Sequence, residues 1–399
     1  MNAEIFFYKI RKNINKLIDR IIYRYKLSFL FKPIKTELLI LDDFFPCPLS
    51  NFRYVEFNEY LRRYNSVVLT TGKSISIVGE YRSIRKFIKI HPRKKQIKLF
   101  RAQKITKAKL AIIVFQHNAE LFLDYLEKNE IPFIFTLYPG SNFKLNDNVG
   151  IIRLRKIFDS KVFKKVIVTQ KITYDYLIGN HLCNPESIEF VYGCPMEAGS
   201  RPVIDKCFGE KGGCIDICFV AAKYHPTGMD KGYDIFIETA KELIRRSENY
   251  RFHVVGGFNQ NDINVEDIKE YIHFYGYMQI ERLRNFYESM DIILSPNRSN
   301  ILGEGAFDGF PTAAVVEAGL KGVVMMLSDD NNQNIYLKNS VDCVFVNHEV
   351  SDISDKIEEL SNNPDLMTLI SISGRNKLNE LFSYNSQIIR RFEIIDSLI

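Results

Sequence analysis

The sequence predicts an α/β protein with two doubly wound, Rossmann-like domains that face each other across a central cleft. Its 399 residues exceed one ordinary domain. Short apolar strands also alternate with helix-like segments twice along the chain. Between the two alternations, Gly193 and Pro195 suit a crossing between domains. Ligands of such sheets bind at the carboxyl ends of the strands, so we expect the site in the cleft.

The domain boundaries are predicted from the same two alternations. A basic amphipathic helix precedes the first domain, and a C-terminal helix, which we expect to cross back to the first domain, follows the second. In chain order, the four segments are 1–35, 36–194, 195–383 and 384–399.

The first domain is predicted from brief apolar runs bounded by turn residues, as in a parallel sheet covered on both faces. The predicted strands are TELLIL (36–41), SVVLTT (66–71), KLAIIVF (109–115), PFIFTL (132–137) and KVIVT (165–169). Apolar residues at helical spacing predict helices at 52–64 and 119–129. A final strand-helix-strand run leads to the crossing at 189–195.

The second domain repeats this alternation from residue 214 onward. Its strands are predicted at 214–221, 251–257, 271–277, 291–296, 323–328 and 342–347. Its helices are predicted at 233–246, 280–290 and 312–321, followed by helical material to the end.

Positive charge is concentrated in two parts of the chain. Residues 1–35 hold nine Lys/Arg against two acids, and 82–109 hold twelve Lys/Arg and no acid. Apolar residues recur at three- and four-residue spacing within 1–35, which is typical of a helix lying on an anionic membrane. A helix packed on the first domain explains the pattern equally well. A nucleic-acid partner is not expected, since the basic window matches no binding motif.

Localisation is predicted from what the chain lacks. No apolar run reaches the ~18 uncharged residues that a membrane span needs. The seven Cys residues show no CxxC spacing, which favours free thiols. We therefore expect a cytoplasmic protein that can sit peripherally on the cytoplasmic membrane face.

The stretch 308–318, DGFPTAAVVEA, places two acids around a tight turn and a helix that begins near Thr312. A helix N-terminus offers unpaired N–H groups and a partial positive charge to a phosphate. Gly309 lets the backbone approach a ligand closely. Glu317, more than a turn into the helix, can accept bonds from sugar or ribose hydroxyls. The alternative is an ordinary turn with a solvent-facing Glu.

Two lysines are predicted to point into the same cleft. Lys223 follows the first strand of the second domain, and Lys231 stands just before its first helix. Two cations near a helix N-terminus can clamp a diphosphate, because charge-assisted bonds to phosphate are strong. The alternative is a pair of solvated loop lysines.

Residues 215–335 resemble the donor half of a GT-B glycosyltransferase of the retaining family 4 type, the glycosyl transferases group 1. The features that carry the resemblance are a strand followed by Lys223, the pair Lys231-Gly232, VVGG (254–257), DIILSP (291–296) and the GFPT…EA run. The resemblance implies that the lysines bind the donor diphosphate and that Glu317 binds ribose. The other implied donor-binding residues are Gly256, Gly257, Gly309, Phe310, Pro311 and Thr312.

The acid beside the transferred sugar is not assigned uniquely. The family usually separates its two acids by seven residues, which would place the first at Gly309. Asp308 is one position early, and Glu304 is a second candidate. Both are carried forward as catalytic candidates with Lys223 and Lys231.

The first domain resembles the acceptor half more weakly. LDDFFPCPLSNFR (41–53), with Asp43 and Arg53, occupies the first strand-to-helix turn, where the family often has a Gly-rich loop. Tyr138 stands where a strand often ends in a His, and His117 follows another strand. These four residues are the acceptor-side candidates.

The resemblance implies transfer of a sugar from a nucleotide-diphosphate donor to a hydroxyl of a glycan or lipid-linked acceptor. Retention of configuration and a role in cell-surface polysaccharide or lipopolysaccharide synthesis are expected with it. No two Asp residues stand two apart, so a DxD metal clamp is absent and metal-independent transfer with no further cofactor is expected. The alternatives are a non-catalytic glycosyltransferase-like subunit, a nucleotide-sugar epimerase and, further off, a nucleic-acid-binding protein.

Overall fold

A computed structural model describes residues 33–78, 84–102, 105–196, 206, 208 and 213–399. The predicted helix in residues 1–35 lies almost wholly outside this range. The described residues form two parallel sheets with helices packed on them, one sheet in each half of the chain. The predicted α/β class with two doubly wound domains is confirmed.

The first domain has a sheet of seven parallel strands and a separate pair of short strands. In chain order the strands are β1 (Ile34–Lys35), β2 (Leu38–Asp42), β3 (Ser66–Thr70), β4 (Ile97–Leu99), β5 (Ile105–Lys107), β6 (Leu110–Val114), β7 (Phe133–Leu137), β8 (Phe163–Val168) and β9 (Ile188–Phe190). The large sheet runs β4-β3-β2-β6-β7-β8-β9, and β1 pairs with β5. Every residue of β2, β6 and β7 is buried, which explains why these strands are apolar along their whole length.

Helices of the first domain cover the faces of this sheet. They are α1 (Asn51–Arg63), α2 (Ile84–Ile90), α3 (Gln116–Lys128), α4 (Asn148–Phe158) and α5 (Lys171–Gly179). The sequence interpretation missed α2 and α4. The helix α4 has a recognisable start, because the Asp147 carboxylate accepts hydrogen bonds from the amides of Val149 and Gly150.

The second domain has one sheet of six parallel strands in the order β12-β11-β10-β13-β14-β15. The strands are β10 (Ile215–Ala221), β11 (Tyr250–Gly256), β12 (Ile272–Gly276), β13 (Ile292–Ser295), β14 (Val324–Leu327) and β15 (Val344–Phe345). The helices are α6 (Tyr233–Arg246), α7 (Ile280–Ser289), α8 (Ala313–Gly319), α9 (Val350–Ser361), α10 (Pro364–Leu381) and, after a π-helical turn at Asn385–Ile389, α11 (Arg390–Asp396).

The C-terminal segment packs on the first domain. Phe392 and Ile395 belong to the same buried cluster as Leu38 on β2 and Tyr60 on α1. Asp396 accepts a hydrogen bond of 2.8 Å from the Tyr64 hydroxyl at the end of α1. The chain therefore passes between the domains near 191–196 and returns at its C-terminal end, while the predicted boundaries stay a prediction.

No helix within the described ranges is both long and apolar enough to cross a membrane.

Candidate functional site

The site is built where strands of the second sheet end. The strand β10 leads into a loop with Lys223, Tyr224 and Lys231, and β13 leads into a loop with Asn297 and Asp308. Because β10 and β13 are hydrogen-bonded neighbours with parallel register, both loops emerge at the same sheet edge.

The backbone around Lys231 is fixed by the following glycine. Gly232 has a φ of +71°, a left-handed conformation that side chains rarely adopt. A Cβ at this position would lie 2.0 Å from the carbonyl oxygen of Pro296. The Lys-Gly pair of the sequence therefore reflects a tight turn against the end of β13, which holds Lys231 beside the second loop.

Lys231 is buried and surrounded by partners that favour its charged form. Its Nζ lies 2.5 Å from Oδ2 of Asp308 and 3.5 Å from Oδ2 of Asp230, and 4.9 Å above the ring of Tyr224. Burial alone would lower the pKa of Lys231, but the charge of Asp308, with Tyr224 and Asp230, raises it. Lys231 is therefore a fixed positive charge at the strand ends.

Asp308 is held from three sides. Besides Lys231, the Asn297 side chain donates a 2.7 Å hydrogen bond to its carboxylate. The Gln333 amide donates a 3.0 Å bond to the backbone carbonyl of Asp308. Gln333 and Asn297 line a small polar pocket next to Asp308. About a third of the Asp308 side chain remains exposed (34%), so it is accessible to a ligand.

Lys223 lies near the predicted glycine pair. Its Nζ forms an ion pair of 2.6 Å with Asp262, and its side chain is 17% exposed. A Cβ on Gly257 would lie 3.4 Å from Cβ of Lys223 and 3.0 Å from the Tyr277 hydroxyl. Gly256 has a φ of +134° and approaches the Ala221 carbonyl. The glycines thus bring the ends of β10, β11 and β12 close together.

The turn after Asp308 is enclosed by both domains. Phe310 is buried, and its carbonyl accepts a 3.0 Å hydrogen bond from the Tyr192 hydroxyl near the interdomain crossing. A Cβ on Gly309 would lie 3.2 Å from the Gln170 amide of the first domain. Phe310–Pro311 is a cis peptide bond, and Thr312 is the residue before α8. A side chain at 309 would thus be tightly confined.

Glu317 on α8 makes a direct contact with the first domain. The Asn51 side-chain amide, at the start of α1, donates a 2.6 Å hydrogen bond to Glu317 Oε1. Desolvation raises the pKa of Glu317 to about 7, although the bond from Asn51 and the charge of Arg284 oppose the shift. The carboxyl group therefore changes protonation near neutral pH.

The loop between β13 and α8 crosses to the first domain before it reaches Asp308. Phe307 is buried in the first-domain core, where its ring centroid lies 5.9 Å from that of Phe143. The amide of Leu145 donates a 2.9 Å bond to the carbonyl of Gly305. Glu304 lies on an exposed part of this loop. Of the two candidate acids, Asp308 is the one in contact with Lys231.

Three of the four acceptor-side candidates cluster at the strand ends of the first sheet. Arg53 lies 3.0 Å from Asp43 Oδ1, and His117 Nε2 lies 2.9 Å from Asp43 Oδ2. Asp42 and Asn118 complete the cluster through contacts with Arg53 and Asp43. Burial alone would raise the pKa of Asp43, but the hydrogen bond with His117 and the charge of Arg53 hold it well below its usual range.

Tyr138 lies in a different environment. It is buried, its hydroxyl donates a 3.3 Å bond to Glu56, and it accepts a bond of the same length from Arg391 of α11. Burial raises the pKa of Tyr138 well above its usual range. Tyr138 therefore connects α1 to the C-terminal segment, and an acceptor contact by it stays a prediction.

No group of three or more His, Cys, Asp or Glu side chains in the described ranges is placed to hold a metal ion. The expectation of metal-independent transfer therefore stays a prediction that only a metal-depletion assay can test.

Sequence reasoning missed several residues that complete the site: Asn51, Asp230, Asn297 and Gln333. Asn51 is separated from Glu317 by 266 positions, so no local pattern links the two. Asp230 had the strongest available signal, because it directly precedes the Lys-Gly pair.

Residues 215–363 match the family model described as Glycosyl transferases group 1. Among solved structures, HepE from Anabaena, in complex with UDP and glucose, is similar at a TM-score of 0.67 and 13% identity. That similarity covers 91% of this chain and 100% of HepE. None of the curated proteins matches the chain significantly.

Two further solved structures share the fold. Sucrose-phosphate synthase from Thermosynechococcus elongatus matches at a TM-score of 0.64 and 12% identity, over 91% of this chain and 99% of that one. A glycosyltransferase from Rickettsia africae matches at 0.60 and 13%, over 92% and 99%. At these identities the similarities establish the fold, which is the one expected from the sequence.

Proposed function

We propose that this chain, a GT-B glycosyltransferase whose residues 215–363 match the glycosyl transferases group 1, moves a sugar from a nucleotide-diphosphate donor to a hydroxyl acceptor. The acceptor is a glycan or a lipid-linked sugar, and the reaction retains the anomeric configuration without a metal. The contact that carries this proposal is Lys231 with Asp308, a buried cation and a cleft-facing acid at the strand ends.

In this proposal Lys231 stabilises the negative charge of the leaving diphosphate. When the bond between the sugar C1 and the diphosphate oxygen breaks, its electron pair leaves on the diphosphate. A cation held at the strand ends, next to the diphosphate, stabilises that charge. Because Nζ contacts Asp308 in the structure, an incoming phosphate exchanges places with that carboxylate. Lys223, paired with Asp262, supplies the second charge of the clamp.

Asp308 binds the transferred sugar in this proposal. Once Lys231 turns to the phosphate, the carboxylate keeps its bond from Asn297 and is free to accept a hydrogen bond from a sugar hydroxyl. It also lies next to the positive charge that develops on the sugar ring as C1 loses its leaving group. The acceptor hydroxyl then forms the new bond to C1, and its proton passes to an oxygen of the departing diphosphate.

The acceptor binds to the first domain in this proposal. Its cluster of Asp43, Arg53 and His117 lies at strand ends of the parallel sheet, the edge where such sheets bind ligands. The HepE complex with UDP and glucose is consistent with a sugar-nucleotide donor. A role in cell-surface polysaccharide or lipopolysaccharide synthesis follows from the family resemblance and remains part of the proposal.

The test is release of nucleoside diphosphate from a panel of UDP-, GDP- and ADP-sugars. Wild type and Lys231→Ala are compared, with Lys269→Ala as a matched control because Lys269 lies on the exposed surface, where it pairs with Glu266. Losing a charge-assisted bond costs about 1.5–3 kcal/mol, so we expect turnover to fall ~10–150-fold in Lys231→Ala. Equal turnover in all three proteins would remove the clamp from the mechanism. Binding without turnover by wild type would favour a non-catalytic subunit.

We further propose that the basic region brings the enzyme to an anionic membrane surface. Within 82–109, eight described basic side chains are exposed, and Ile90 in the same segment is 71% exposed. They are Arg85, Lys86, Lys89, Lys94, Lys95, Lys98, Lys107 and Lys109. Each basic residue near an anionic surface contributes about 1 kcal/mol to the free energy of membrane binding. An exposed apolar side chain strengthens binding further by inserting into the membrane interface.

Flotation with anionic and neutral vesicles tests this surface. The full chain is compared with a chain lacking residues 1–32 and with Lys86→Glu/Lys89→Glu, while Lys241→Glu, on the second domain, is the control. We expect flotation on anionic vesicles to decrease in both altered proteins and to persist in the control. Equal flotation on neutral and anionic vesicles would contradict the proposal.

A further inference from the structure

Asn51 forms a polar contact across the cleft that the donor site described above does not explain. It is the first residue of α1 in the first domain, and its Nδ2 donates a 2.6 Å hydrogen bond to Glu317 Oε1 in the second. The two residues are 266 positions apart. The acid expected to bind ribose is therefore already in contact with the opposite domain.

The Asn51 amide turns its nitrogen toward Glu317, to which it donates the 2.6 Å hydrogen bond. Its oxygen therefore remains for another partner. That oxygen, Asn51 Oδ1, is buried and has no hydrogen-bond partner among the described residues. A buried acceptor without a partner costs free energy, and a ligand hydroxyl would remove that cost.

The surroundings of Glu317 contain another unpaired polar group. The hydroxyl of Tyr287 on α7 is buried without a partner among the described residues, and its pKa is raised by burial and then by the charge of Glu317. Asn51 Oδ1 and the Glu317 carboxylate therefore offer two hydrogen-bond acceptors, one from each domain, and the Tyr287 hydroxyl is close enough to Glu317 for its pKa to respond to that charge.

We infer that Asn51 and Glu317 together bind the 2′,3′-diol of the donor ribose, so that the first domain helps to select a ribonucleotide. This inference rests on the proposed function. A vicinal diol brings two O–H donors, one for the Glu317 carboxylate and one for Asn51 Oδ1. The hydrogen bond from Asn51 Nδ2 to Glu317 keeps the two acceptors side by side.

The inference has a consequence for specificity. A 2′-deoxy nucleotide offers one donor fewer and leaves a buried acceptor unpaired, which costs about 1–3 kcal/mol. That corresponds to a ~5–150-fold preference for the ribonucleotide. A site built to bond a hydroxyl rejects the analogue that lacks it.

The experiment measures calorimetric binding of UDP, ADP and GDP and of their 2′-deoxy counterparts. Wild type, Asn51→Ala and Asn58→Ala are compared. Asn58 is a matched control because it lies on the same helix and its amide donates to the Tyr54 carbonyl within that helix. Thermal unfolding shows that each variant is folded, and Glu317→Gln serves as a second variant of the Asn51–Glu317 pair.

We expect wild type and Asn58→Ala to prefer the ribonucleotide at least ~5-fold, and Asn51→Ala to lose most of this preference while it still binds the deoxynucleotide. An unchanged preference in Asn51→Ala would overturn the inference and leave the proposed function intact. A wild type that prefers the deoxynucleotide would also overturn the inference and leave the proposed function intact. A wild type that binds none of the six nucleotides would overturn both.

Discussion

The buried pair of Glu56 and Arg391 offers the sharpest test of how the two domains are joined. Both side chains are fully buried, with Arg391 Nε 3.6 Å from Glu56 Oε1. Arg391 also donates to Tyr138 and to Gln387, so it connects α11 with the first domain. Changing Arg391→Met keeps the volume but leaves the Glu56 carboxylate without a cation. Bonds of 2.8 and 3.3 Å from Tyr60 and Tyr138 remain.

The expected magnitude follows from breaking a buried ion pair, which costs about 3–5 kcal/mol. For domains of this size, each kcal/mol lowers the melting temperature by about 2–4 °C, so we expect a decrease of roughly 6–20 °C. Calorimetry or circular dichroism measures it. Arg390→Met is the matched control, because the neighbouring Arg390 is itself 47% exposed and pairs with Glu189 and Glu393 near the surface.

The double variant Glu56→Gln/Arg391→Met isolates the cause. If the uncompensated carboxylate is responsible, removing its charge should recover more than half of the lost stability. Equal melting temperatures for Arg391→Met and Arg390→Met would refute the reasoning. A double variant less stable than Arg391→Met would refute the electrostatic explanation specifically.

Three further predictions concern the donor site. Folded Glu317 holds its proton up to about pH 7, whereas its ordinary pKa is 4.5. Stability should therefore fall as pH rises between those values, by about 1–3 kcal/mol relative to Glu317→Gln; a pH-independent difference between the two proteins would contradict this. Gly232→Ala forces a Cβ to 2.0 Å from the Pro296 carbonyl, so melting temperature and nucleotide affinity should both fall; unchanged values of both would speak against the turn. Tyr192→Phe removes the bond to the Phe310 carbonyl and should weaken nucleotide binding by about 1 kcal/mol, or ~5-fold, in a titration; full affinity would exclude that role.

The sequence predicted the central strands well because their physical signal is local. The strands β2, β6 and β7 are buried along their whole length, so they appear as continuous apolar runs. The edge strand β4 was missed, since it has three residues and Lys98 is exposed on it. Its position is fixed by pairing with β3, and a short polar run in the sequence does not predict that pairing.

The site was predictable to the extent that its residues lie in short motifs. Lys231 stands out by its glycine, and Glu317 by the turn and helix before it. Asn51 and Arg391 were not predictable, because their partners lie hundreds of positions away and are selected by the packing of the two domains. The resemblance led us to expect an acceptor contact at Tyr138, yet this residue is buried and its hydroxyl contacts Glu56 and Arg391.

The measurement that tests the central claim most directly is a crystal structure with the nucleotide-sugar that the turnover panel identifies. We predict diphosphate oxygens within ~3 Å of Lys231 Nζ, Asp308 released from Lys231 and turned to the sugar, and the ribose on Glu317 and Asn51. A donor bound elsewhere, or a diphosphate in the cleft with Lys231 still paired to Asp308, would contradict the account.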